Sequence, residues 1–151
     1  MRTFKDQQSC VWGLNLTLTT ARGMRRDIGV DVFNSDAFNA SLSSIEAVDI
    51  FAYLLNGQMQ QRWPDLKGEA LLSAFGATLE PVFAVAHDAL LEEIIDFFDR
   101  LGRRELAEYY RKSLDLGRRL LAKAKTEIEL LDPEQIVEIL LPSAKDSAAT
   151  K

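Results

Sequence analysis

Three carboxylates, Asp88, Glu92 and Asp96, are spaced i, i+4 and i+8, and Asp99 lies close by on the same side. Stacked on a helix, such groups have the chemistry to hold a divalent cation or to work as a general acid and base. They also make a solvated acidic face that pairs with neighbouring bases, which is how most charge runs behave. His87, the one histidine, sits between the apolar positions Phe83 and Leu90 with no glutamate three residues before it. It therefore reads as a packed or boundary residue, not a metal ligand. Cys10 has no histidine or cationic helix terminus nearby to lower its pKa, and reads as a structural thiol. Arg22, Arg25 and Arg26, with the pairs Arg103/Arg104 and Arg118/Arg119, could meet phosphates. No exposed aromatics are interleaved with them, and they read as ordinary helix surface. The glycines are isolated and make no phosphate loop, and Gly-x-Ser-x-Gly, paired-cysteine and His-Glu-x-x-His motifs are absent. The expectation is a protein with no catalytic residue, no metal ligand and no cofactor.

Composition narrows the class further. The chain has 151 residues, 47% hydrophobic and 27% charged, with a net charge of -5. It is long enough to bury a core of its own, and its acidity disfavours nucleic acid or an anionic membrane as partner. A single cysteine fits a reducing compartment. Neither a secretory pattern at Met1–Asp6 nor an unbroken apolar run of about 20 residues is evident, so a cytoplasmic protein is expected.

The elements that would position these residues are mostly helical. Trp12, Leu14, Leu16 and Leu18 alternate with period two, which predicts a strand paired with the segment around Phe4 in a hairpin over 1–19. Thr19 or Thr20 is expected to cap a helix from Ala21 to Ile28 that packs through Ala21, Met24 and Ile28 and ends at Gly29. Short helices then fill 20–76. Asn34-Ser35-Asp36 would cap one over 37–42. Ser43-Ser44-Ile45-Glu46 has capping-box spacing for a second, ending near Gly57 or a turn later. Asp65 would cap a third that stops at Gly76.

Residues 78–131 predict an antiparallel helical hairpin turning at Gly102. Its first helix, 78–101, starts with Pro81 in the first turn and carries a wide apolar face including Leu90, Ile94, Phe97 and Phe98. Its second, 103–131, places Tyr110, Leu114, Gly117, Leu121, Ala124, Ile128 and Leu131 on a strict 4-3 heptad spacing. Residues 65–99 carry eight acids against one base, and 103–131 eight bases against five acids, so opposite charges should meet along the flanks. A terminal helix over 133–141 and a flexible tail over 142–151 complete a single domain of 1–141. Phe97, Phe98, Tyr110, Leu114, Leu121 and Ile128 are the expected core or partner-binding positions. The heptad stripe is open to both readings: packing on the preceding helix, or binding another chain.

Taken together, Phe4-x-Asp6, Trp12-x-Leu14-x-Leu16-Thr17 and the step Asp27-Ile28-Gly29-Val30-Asp31-Val32-Phe33 resemble the opening of tail assembly chaperone-like proteins of long-tailed bacteriophages and prophages. Ala89-Leu90-Leu91-Glu92-Glu93-Ile94-Ile95-Asp96-Phe97-Phe98 is similar to a segment of phage-encoded relatives. The two cover about a third of the chain, which differs from the shorter relatives in its long helix from Arg103. The resemblance implies a non-enzymatic chaperone in the bacterial host cytoplasm. It would mask the helices of the tape-measure protein and recruit tail-tube subunits, with or without self-association. Two other functions fit the residues: an acidic inhibitor or immunity-type protein using Asp88, Glu92, Asp96 and Asp99 against a basic surface, and a divalent-metal site on that same face.

Overall fold

A computed structural model of the chain describes residues 1–130. The protein is mostly α-helical, with a two-stranded antiparallel hairpin at the N-terminus and a long helix toward the C-terminus. Strands β1 (Arg2–Lys5) and β2 (Val11–Leu14) are followed by α1 (Leu18–Ile28), α2 (Ser35–Leu42), α3 (Glu46–Arg62) and α4 (Gly68–Leu79). A 3-10 turn at Glu80–Val82 leads into α5 (Phe83–Arg100), and α6 is Arg104–Leu130. The chain divides into two compact units, Met1–Arg111 and Lys112–Lys151.

In the first unit the hairpin pairs Arg2 with Leu14 and Phe4 with Trp12, and alternation sends Phe4, Trp12 and Leu14 inward. Gln58 of α3 receives the Gly13 N–H on Oε1 and donates Nε2–H to the Gly13 carbonyl, both at 2.8 Å. Its amide thereby acts as a third strand and covers backbone groups that an edge strand would leave open. The core beneath is helical: Ile50, Phe51 and Leu55 from α3, Phe75 and Leu79 from α4, and Leu90, Ile94, Phe97 and Phe98 from α5. Each such side chain contributes about 1.5–3 kcal/mol by leaving water. Rings meet edge-on, Phe4 with Phe51 at 6.2 Å and Trp12 with Phe75 at 5.7 Å, the arrangement their quadrupoles favour.

Several local expectations are corrected. Thr17 caps α1, its hydroxyl accepting the Thr20 N–H at 3.1 Å, so the helix starts at Leu18. Leu18, counted above in the strand alternation, is helical and exposed. Ile28 is also exposed, and Gly23 takes the packed place, because a Cβ there would collide with the Tyr53 hydroxyl. No capping box forms, since the Glu46 carboxylate accepts from the Ser41 hydroxyl at 2.8 Å; the end of α3 at Arg62, about a turn past Gly57, falls within the expected range. Asp65 caps nothing, since α4 begins at Gly68 and runs past Gly76 to Leu79. Pro81 falls in the 3-10 turn and not in α5. The glycine stops at Gly29 and Gly102 are as expected, with φ of 69° and 72° that a side chain would resist.

Gly68–Arg100 is, by length and composition, a helical stretch that could cross a membrane. No unbroken apolar run marks it, because polar residues such as Ser73 and Thr78 interrupt the stretch. Its α5 part supplies buried residues from Ala86 to Phe98.

The second unit is described over 112–130, the remainder of α6. Leu114 is buried, and every residue from 115 to 130 is exposed. Leu131, the expected terminal helix over 133–141 and the expected tail over 142–151 lie outside the described residues.

Candidate partner-binding surface

The six apolar positions singled out above fall into two groups. Phe97, Phe98, Tyr110 and Leu114 are buried, whereas Leu121 and Ile128 are 67% and 55% exposed. Tyr110 stacks nearly parallel on Phe98 at 5.8 Å, meets Phe38 edge-on at 6.0 Å, and donates its hydroxyl to the Ser35 carbonyl at 3.4 Å. Burial pushes its pKa above the ordinary phenol value. Beyond Leu114 the stripe is uncovered. Leu116, Leu120, Leu121, Ile128 and Leu130 are all more than half exposed on one 27-residue helix. Along the same stretch Asp115 and Arg119 form an i, i+4 pair at 2.9 Å, a contact that adds a few tenths of a kcal/mol to a solvated helix, about 0.3–0.5.

The acidic face has been drawn into the first unit. Asp96 receives Arg2 Nε at 2.7 Å, and the Arg2 guanidinium also lies 3.4 Å from Glu92. The Arg2 hydrogen bond, against the opposing effect of burial, holds the Asp96 carboxyl below its ordinary pKa. Asp99 meets Arg111 at 3.0 Å, the pairing across the Gly102 turn that the charge asymmetry predicts. Asp88 also has an interaction of its own. Among the described residues, no group of three or more His, Cys, Asp or Glu is arranged to hold a metal ion. An inhibitor surface built on Glu92, Asp96 and Asp99 would have to break these internal pairs to meet a basic partner.

His87 sits half-buried at the boundary, Nε2 donating to the Leu42 carbonyl at 2.8 Å and its ring 5.8 Å from that of Phe83. Cys10 is held in the hairpin connection, its N–H donating to the Asp6 carboxylate at 2.9 Å. Of the arginines considered for phosphate, Arg26 pairs with Asp27 at 2.8 Å, Arg103 with Glu105, and Arg119 with Asp115.

Three features carry weight that residue spacing did not reveal. Glu93, fully buried, accepts the Arg2 N–H at 3.0 Å, the Leu16 N–H at 3.1 Å and Arg100 Nη2 at 3.3 Å, with the chain's amino group at 3.7 Å. It ties both ends of the hairpin to α5. Asp6 gathers the Gln8 and Cys10 N–H groups at 2.9 Å and Trp12 Nε1 at 3.0 Å. Burial works hardest against its charge, but the three donors and the Arg62 cation together outweigh it and keep its pKa below the usual aspartate value. The third is an open groove of about 1590 Å³ whose lining includes Arg22, Arg26, Tyr53, Gln60, Trp63 and Leu71. On its wall Asp27 accepts from Arg26 and, at 2.9 Å, from the Tyr53 hydroxyl, which lowers its pKa to about 2. The partners of Glu93 lie up to 91 residues away, so only a contact map exposes its role.

No protein-family model, no curated protein and no solved structure matches this chain. The functional reading therefore stands on the chain's own geometry and on the resemblance of its opening.

Proposed function

We propose that the protein is a non-enzymatic assembly chaperone of the kind used in building long bacteriophage tails, masking hydrophobic helices of a tail protein such as the tape measure. The observation that carries this reading is the uncovered heptad stripe of α6, where Leu121 and Ile128 are each more than half exposed, with exposed Leu120 beside them. An exposed apolar stripe on a helix is the surface by which amphipathic helices take up one another. The N-terminal unit supports the assignment in a different way. Glu93, Asp6 and His87 each find their partners inside that unit, so these groups are committed to holding its own fold together. The head residues Trp12, Leu14, Leu16, Gly29 and Val30 supply the resemblance to tail chaperones.

The test is the solution mass of the full chain by light scattering, alone and co-expressed with a tape-measure fragment. A complex that survives high salt is expected, because burial of apolar area is not screened by ions. A monomer that ignores the fragment overturns the assignment.

A further inference from the structure

We draw no further inference here: the strongest candidate, the open groove along α3 between α1 and the start of α4, carries charges of both signs in Arg22, Asp49 and Lys67, and nothing in the structure shows what covers it.

Discussion

Helices α5 and α6 are written in the same apolar language and meet opposite fates. Both carry an apolar stripe, yet Leu90, Ile94, Phe97 and Phe98 of α5 are in the core while Leu121 and Ile128 of α6 are exposed. The difference lies in the surroundings. Along α5 the hairpin is fastened by Glu93, which gathers backbone and guanidinium donors from 7 to 91 residues away. Along α6 beyond Leu114 the described residues supply no such cover. Periodicity identifies which face of a helix is apolar; what covers that face is decided by contacts distant in the chain.

The comparison can be broken most forcefully at Glu93. Glu93→Ala strips the acceptor from buried N–H groups of Arg2 and Leu16 and from Arg100, and should cost about 3–5 kcal/mol, read as a fall in the urea midpoint. An unchanged midpoint would remove Glu93 as the fastening of the hairpin. Next comes Asp6. Asp6→Asn puts an amide before three donors and should cost about 2–3 kcal/mol at pH 7. Because the folded pKa of Asp6 lies below its unfolded value of about 3.9, its contribution is complete above that pH and is lost as pH falls through the folded value. Urea midpoints at pH 7 and pH 3 should therefore converge between parent and variant as the solution is acidified.

A smaller effect is expected at Gly23. Gly23→Ala brings a methyl group against the Tyr53 hydroxyl, the movable end of its side chain, while alanine favours the helix, so the net cost should stay under about 1 kcal/mol, part of which Tyr53→Phe restores in the double variant. Absence of any coupling between the two would contradict the close approach of α1 to α3. Smallest of all is Leu121→Glu. At a site 67% exposed it should move stability by no more than about 0.5 kcal/mol. A loss comparable to that of a core leucine would mean that the α6 stripe is covered in solution after all.

How much of this was legible in the residues depends on the range of the signal. The helical class, the N-terminal hairpin and the turns at Gly29 and Gly102 come from local chemistry: alternation, periodicity and positive-φ glycine. The alternation through Leu18 points past Thr17 to Thr19 or Thr20 as the cap, although a hydroxyl three residues before the Thr20 amide is itself a local cap signal. Gly76 reads as a stop, yet it is helical, since tertiary packing overrides a weak propensity. The candidate surface was half legible. The 4-3 spacing marked Tyr110 and Leu121 alike, but the division between buried and exposed falls after Leu114 and leaves no trace in the spacing. Asp6 stands in the sequence only as part of Phe4-x-Asp6 and Glu93 only as one acid of a charge run, because burial and folded N–H partners give them their roles.

The central claim is that the exposed stripe of α6 is a partner surface. The most direct measurement is amide hydrogen exchange across α6 in the full chain, free and with a tape-measure fragment. The account predicts rapid exchange over residues 115–130 in the free protein and marked protection of that segment in the complex, with the hairpin and α5 unchanged. Protection confined to the groove bordered by Tyr53 and Trp63, or no protection at all, would contradict it.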